Sequence, residues 1–151
     1  MDIIMNQYEV IEVKYGSEQY EQTLLLRDKV MRQPLGLSIK NEDLSYEQQA
    51  TTLVVYDSDK LLGTGIYVIL DDSTMRVNFL CVDFNLQKAG IGRTILEDIE
   101  KRARQLGMKK ITLNARLTAL DFYKKLGFVE YGDIFLMNAA PIEHICMEKV
   151  L

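Results

Sequence analysis

Asn78-Phe79-Leu80-Cys81-Val82-Asp83-Phe84-Asn85-Leu86-Gln87-Lys88-Ala89-Gly90-Ile91-Gly92-Arg93 is the stretch in which the pattern of this chain changes. Up to Val82 the residues read as a strand, and from Gly90 the period becomes helical. Ile91, Ile95, Ile99, Ala103 and Leu106 fall on one face, with Arg, Lys and Glu opposite, and Gly107 supplies the stop. The stretch is therefore a strand passing through a short loop into a helix N-terminus. Such a terminus leaves main-chain N–H groups unpaired and carries the positive end of the helix dipole, so it can hold an anion without any side-chain charge. Gly90 and Gly92 permit a tight turn and a close approach of phosphate oxygens to the main chain, although glycines that merely turn the chain into a helix would look the same. Gln87 offers a hydrogen bond, and Lys88 and Arg93 offer charge. Two other phosphate loops are excluded: Ile95 stands where a dinucleotide fingerprint requires glycine, and no GxxxxGK[ST] occurs.

Working outward, Tyr8 to Lys14 reads as a first strand. Ser17 is a helix N-cap followed by Glu18 and Glu21, with Tyr20, Leu24, Arg27 and Met31 at helical spacing and Pro34 and Gly36 ending the helix. Thr51 to Tyr56, Leu61 to Leu70 and Met75 to Val82 are rich in Val, Ile, Leu, Thr and Tyr and are joined by Asp/Ser turns, which predicts an antiparallel meander. Ile111 to Ala115 is a short strand. Thr118 to Asp121 matches a capping box opening a helix that ends at Gly127, and Phe128 to Tyr131 and Ile145 to Val150 complete the sheet. The expectation is an α/β (α+β) fold: a mixed, mostly antiparallel sheet of six to seven strands flanked by about four helices. Without a repeat, a linker or a low-complexity tract, residues 1–151 are expected to form one domain.

The 151 residues are 48% hydrophobic and 26% charged, the composition of a soluble globular protein. Cys81 and Cys146 are isolated in apolar surroundings, which predicts two buried small hydrophobes and no metal site. No targeting segment or long apolar run is evident, so a cytoplasmic protein without membrane or nucleic-acid partners is expected. The net charge of −4 is unevenly spread. Residues 1–87 hold 7 basic against 14 acidic side chains, residues 88–110 hold 7 against 3, and the remainder 4 against 5. A local positive field beside a Gly-rich turn suits a small polyanion, while the acidic total argues against general nucleic-acid binding. Lys101, Arg102 and Arg104 fit a solvated helix face equally well.

Further along lies Leu113-Asn114-Ala115-Arg116-Leu117-Thr118-Ala119-Leu120-Asp121-Phe122-Tyr123-Lys124-Lys125-Leu126-Gly127-Phe128. With it the chain resembles the GNAT superfamily of N-acetyltransferases. Gln87-x-x-Gly90-x-Gly92 fits that family's [RQ]-x-x-G-x-[GA] coenzyme A loop, and Asn114, Ala119, Phe122-Tyr123 and Leu126-Gly127-Phe128 fit its second signature. The spacing between the two and the element order agree over essentially the whole chain. Ile142-Glu143-His144-Ile145-Cys146-Met147-Glu148-Lys149 is similar to a branch with a His near the end of the last strand.

The resemblance implies acetyl-coenzyme A as co-substrate, with no metal. The pyrophosphate would lie on Gln87, Lys88, Ala89, Gly90, Ile91, Gly92 and Arg93. The pantetheine arm would lie between two splayed strands, against the main chain of Leu80, Cys81 and Val82, with Asn114 and Phe122 beside it. Attack of an amine on a thioester needs an oxyanion donor, here a main-chain N–H near Leu80 or Cys81, and an acid for the departing sulfur, here Tyr123. No residue declares itself as general base: His144 is a base, a substrate contact or a strand-ordering residue, and Asp83 is a second candidate. The acceptor would lie over Arg27 to Ser38, where Arg27, Arg32 and Leu35 are candidate contacts together with His144. The expected function is direct transfer of an acetyl group to a primary amine of a small molecule. A protein acceptor, a coenzyme A-binding sensor without turnover, and a homodimer stay open.

Overall fold

A computed structural model describes residues 8–87, 89–138 and 141–151. Seven strands form one sheet: β1 (Val10–Val13), β2 (Thr51–Asp57), β3 (Lys60–Ile69), β4 (Thr74–Val82), β5 (Lys110–Arg116), β6 (Val129–Leu136) and β7 (Glu143–Val150), in the order β1-β2-β3-β4-β5-β7-β6. All neighbours are antiparallel except β4 and β5. The single parallel pairing follows from the crossover between them, since a helix must return the chain to the starting edge. Among the described residues the α-helices are α1 (Glu18–Arg27), α2 (Ile91–Gln105) and α3 (Leu120–Lys125). A π turn over Asp28–Arg32 prolongs α1, and short 3₁₀ turns carry the chain from Gln33 to Gln49.

Local chemistry accounts for the element ends. Ser17 Oγ accepts the Tyr20 N–H and caps α1, while Gly36 takes φ +72° after Pro34. On α2, Ile91, Ile95, Ile99 and Ala103 are fully buried against the sheet, and Gly107 ends the run at φ +75°. Leu106, expected on that apolar face, is 55% exposed, because it follows the last helical residue and its backbone already bends toward the stop. The capping box at Thr118 does not form. A 3₁₀ turn over Leu117–Ala119 precedes α3, whose N-cap is Ala119 with no side-chain hydrogen bond. Cys81 is buried as expected, but Cys146 is half-buried and its thiol donates to Asn114 Oδ1 at 3.2 Å.

Helix α2 lies on one face of the sheet, where it packs with Leu53, Val55, Met75, Val77 and Val82. Gly63 and Gly65 of β3 allow this approach: a Cβ on Gly65 would stand 2.7 Å from Ile95 Cγ2, and one on Gly63 would stand 2.9 Å from Ile91 Cγ2. Helix α1 covers the opposite face. There Arg27 stacks 3.9 Å above the Phe79 ring and the Cys81 thiol donates to the Leu26 carbonyl. The Arg27 guanidinium is fully buried and forms a two-pronged pair with Glu47, which also accepts the Tyr20 hydroxyl at 2.6 Å.

Candidate active site

The site begins where two neighbouring strands part. Pairing of β4 with β5 runs from Thr74↔Lys110 to Val77↔Leu113 and stops. At the next residue, Asn78, β4 carries a bulge against β3: Ile66 faces Phe79 whereas Tyr67 faces Val77. A bulge bends its strand and increases the local twist, which carries β4 away from β5 beyond this point. The Asp83 N–H donates to the Leu62 carbonyl, so by the alternation of a strand Phe79, Cys81 and Asp83 direct their main-chain groups to β3. Leu80 and Val82 direct theirs into the gap. The oxyanion donor expected at Leu80 or Cys81 is thereby narrowed to Leu80, since the Cys81 N–H faces the β3 ladder.

The loop after β4 continues the same edge. Asp83 caps a 3₁₀ turn over Phe84–Leu86 by accepting the Asn85 N–H at 3.2 Å, and it meets Lys29 Nζ at 3.3 Å. The Asn85 main-chain hydrogen bond first, and the lysine beside it, hold its carboxyl below the usual range. Asp83 is thus a turn-capping anion at the strand end. Gln87 Nε2 donates to the Val82 carbonyl at 3.3 Å, tying the loop to the strand. Gly90, at φ +83°, is the N-cap of α2; no side chain caps the helix, and its first main-chain bond is donated by Thr94 to the Gly90 carbonyl. The N–H groups of Ile91, Gly92 and Arg93 accordingly have no helical partner. Gly92 has a packing purpose beyond anion approach, because a Cβ there would lie 3.3 Å from Phe122 Cζ and 3.5 Å from Val82 Cγ2. Arg93 is exposed and pairs with Glu97 four residues on, Arg102 pairs with Asp98, and Arg104 with Glu100. These cations form the solvated face of α2. Lys88 lies outside the described residues.

On the α1 face the gap opens into a cavity of about 810 Å³, within the range of small-molecule sites. Leu80, Asn114, Tyr123 and His144 line it together, so residues far apart in sequence meet at the parting of the strands. The Asn114 amide nitrogen has no partner among the described residues, its oxygen being held by Cys146. Tyr123 is buried between Phe122 and Phe128, with ring centroids at 5.1 and 5.9 Å. Burial pushes its phenol up to about 12, so the hydroxyl keeps its proton at any physiological pH. His144 is 4% exposed, and its Nδ1 lies 2.8 Å from the Ile142 carbonyl. A carbonyl only accepts, so Nδ1 carries the proton and Nε2 keeps a free lone pair. Burial first, and then the nearby Arg116 and Arg32 charges, hold His144 below its usual value, which keeps it neutral near pH 7. The Cys81 thiol is pushed up to about 12 by burial, which leaves it without thiolate character.

Of the residues expected at the acceptor, Arg32 lines the cavity with its guanidinium bound to Glu42, whereas Arg27 and Leu35 do not line it. Arg27 is occupied by Glu47 and Phe79, and Leu35 sits in the 3₁₀ turn after the π segment. Among the lining residues that escape the sequence reading are Phe79 and Arg116. Phe79 has the pattern of an ordinary strand aromatic, and Arg116 stands two residues beyond Asn114, so that strand alternation from Asn114 was the signal that could have found it. Among the described residues no group of three His, Cys, Asp or Glu could hold a metal ion, and no helix is long and apolar enough to cross a membrane.

Comparisons with known proteins bear on the same arrangement. The N-acetyltransferase YjcF of Bacillus subtilis (strain 168), itself uncharacterized, is 29% identical over 134 residues, covering 89% of this chain and 94% of that protein. A Lactobacillus plantarum protein classed as an N-acetyltransferase superposes with a TM-score of 0.82 at 24% identity, over 97% of this chain and 99% of that one. An aminoglycoside 6'-N-acetyltransferase complexed with coenzyme A superposes with a TM-score of 0.74 at 17% identity, over 94% and 96% of the two chains. At these identities the two structures show a shared fold. The family model for the acetyltransferase (GNAT) domain matches residues 26–151, from the end of α1 through the cavity to the last strand, and the chain belongs to that family of acetyltransferases.

Proposed function

We propose that this acyltransferase moves the acetyl group of acetyl-coenzyme A directly to a primary amine of a small molecule, with both substrates bound at once. The observation that carries the proposal is the unpaired edge of β4 from Asn78 onward, which leads at one end to the free N–H groups of α2 and at the other to the cavity holding Tyr123 and His144. The edge fits an extended amide-bearing arm, since the Leu80 N–H and carbonyl and the Val82 N–H point to the side of a missing strand, the Val82 carbonyl being held by Gln87. The α2 terminus, entered through Gly90, fits a pyrophosphate. The co-substrate supplies the activated acetyl thioester, and the chain supplies orientation and proton handling.

In this mechanism the Leu80 N–H stabilises negative charge developing on the acetyl oxygen, an arrangement worth about 3 kcal/mol in comparable sites. Tyr123 donates its proton to the leaving sulfur; its raised pKa keeps it protonated until that moment. His144 Nε2 takes the one proton that the neutral amine gives up as its nitrogen bonds to the acetyl carbon and, being itself neutral near pH 7, is ready to do so. Cys81 takes no part, because its thiol is buried and protonated. The test is calorimetry with coenzyme A followed by thiol-release assays with acetyl-coenzyme A and a panel of amines. Saturable binding and amine-dependent thiol release are expected; absence of coenzyme A binding overturns the proposal.

A further inference from the structure

The charged residues lining the cavity are Arg32, Glu42, Asp43, Arg76, Arg116 and the titratable His144. Arg32 is neutralised inside the wall by Glu42, through Nε–Oε2 at 2.5 Å and Nη2–Oε1 at 3.2 Å. Asp43 is exposed at the rim, where it accepts the Ser45 N–H, and Arg76 belongs to the paired portion of β4. Arg76 is likewise without a carboxylate partner among the described residues, but Arg116 differs from all of these in the burial of its unpaired Nε. It has no carboxylate partner among the described residues; its one hydrogen bond there is from Nη2 to the Met31 carbonyl at 3.1 Å, and its Nε is buried without a partner. A buried donor left unmade is costly, and a guanidinium away from water is costlier unless an anion meets it. Burial and the neighbouring Arg32 charge both press the Arg116 guanidinium below its usual value, as expected for a cation that lacks its counter-ion.

The position of Arg116 also bears on what that anion is. On β5 it stands directly opposite His144 of β7, and its charge reaches Tyr123 as well. The unneutralised cation therefore sits beside the groups that handle the amine and the sulfur, on the acceptor side of the gap. A guanidinium without a carboxylate of its own, such as Arg116 among the described residues, suits the oxygens of a carboxylate ligand. We infer that the acceptor is an amino-carboxylate, of the amino acid class, whose carboxylate is held by Arg116 while its amine is presented to the thioester. This rests on the acetyltransferase reading above and specifies its substrate class. It also disfavours polycationic acceptors, which would bring more positive charge to an uncompensated arginine.

The test pairs substrates that differ only in the anion. Thiol release from acetyl-coenzyme A is measured with L-amino acids, with the amines obtained by removing their carboxylates, with amino-phosphonates of matched length, and with spermidine. Arg116→Gln and Arg116→Lys are assayed beside the wild type, with thermal melts to verify folding. At least one amino acid is expected to exceed its decarboxylated partner in kcat/KM by about 10- to 100-fold, the size of one charge-assisted hydrogen-bonded contact. Arg116→Gln should raise KM for that amino acid by a similar factor and leave the decarboxylated amine within about threefold, with Arg116→Lys in between because it keeps charge and loses the fork. If decarboxylated amines or spermidine turn over as well as the amino acids, or if Arg116→Gln leaves the ratio unchanged, the inference is overturned while the acetyltransferase reading stands. A preference for the phosphonates overturns the carboxylate assignment. If no amine releases thiol and coenzyme A does not bind, both readings fall together.

Discussion

Replacing Glu47 with Gln removes the negative charge from the most enclosed polar group beneath α1. Glu47 is fully buried and accepts three hydrogen bonds, from Arg27 Nη1 at 2.9 Å, Arg27 Nη2 at 2.8 Å and the Tyr20 hydroxyl at 2.6 Å. In Glu47→Gln one oxygen becomes an amide donor facing guanidinium donors, and the Arg27 charge is left uncompensated at 1% exposure. Breaking a buried pair by removing one partner costs about 3–5 kcal/mol. For a chain of this length each kcal/mol lowers Tm by about 2–4 °C, so a fall of roughly 6–20 °C is expected by calorimetry or circular dichroism. The double variant Arg27→Met/Glu47→Leu should lose much less than the sum of its single variants, because no charge remains to be stranded. The pair also reaches the site: Arg27 holds Phe79, a cavity wall, at 3.9 Å, so Glu47→Gln should raise KM for the amine and leave coenzyme A affinity intact. A Tm change under about 2 °C, or additive single variants, would refute the view that this pair is a closed internal unit.

Tyr123→Phe should lower kcat by about 10²- to 10⁴-fold with coenzyme A binding unchanged by calorimetry; an unaltered kcat removes the phenol from the chemistry. Because His144 is held below its ordinary value, kcat should fall only as pH drops below about 6.5, and His144→Gln should abolish that acid limb along with most of kcat; a limb that survives the substitution assigns it to another group. Burial raises Cys81 from 9.0 to about 12 and Tyr123 from 10.0 to about 12, and it raises Tyr20 as well. The unfolded chain releases these protons first. Stability is then full below about pH 9 and declines above it by up to about 1.4 kcal/mol per pH unit for each group, a trend that urea melts from pH 8 to 11 would follow or contradict.

Much of this was legible because it rests on local rules. The change of period at Gly90 located α2, and four of the five residues assigned to its apolar face are buried; the Ser17 cap and the glycine stops at 36, 107 and 127 depend on near neighbours alone. What escaped depends on tertiary context. Arg27 and Arg32 look alike in sequence, both basic and on the same stretch, yet one is consumed by Glu47 and the other reaches the cavity. The partner that separates them, Glu47, lies twenty residues away in a segment without helical or strand periodicity. Gly63 and Gly65 drew no notice inside the strand Leu61 to Leu70, yet their missing side chains let Ile91 and Ile95 seat α2 on the sheet.

The bulge at Asn78 links the two halves of the site, and its trace in the sequence is a change of phase. Before it, Met75 and Val77 join the core under α2; after it, Leu80 and Val82 do, so one extra residue has shifted the alternation. Had strict alternation continued, Phe79 and Cys81 would have faced α2 and Leu80 would have faced α1. The shift instead sends Phe79 to the Arg27 stack on the acceptor side and turns the Leu80 main chain into the gap. It falls one residue after the last β4–β5 pair, so the defect that frees the strand edge also builds a wall of the cavity. In the proposed function, donor and acceptor would meet at one point because a single inserted residue opens both the strand edge and the cavity. Arg116 follows from the same geometry: β5, released from β4 beyond Leu113, extends past the gap with Asn114 beside the edge and Arg116 in the cavity wall, where no carboxylate among the described residues pairs with its guanidinium.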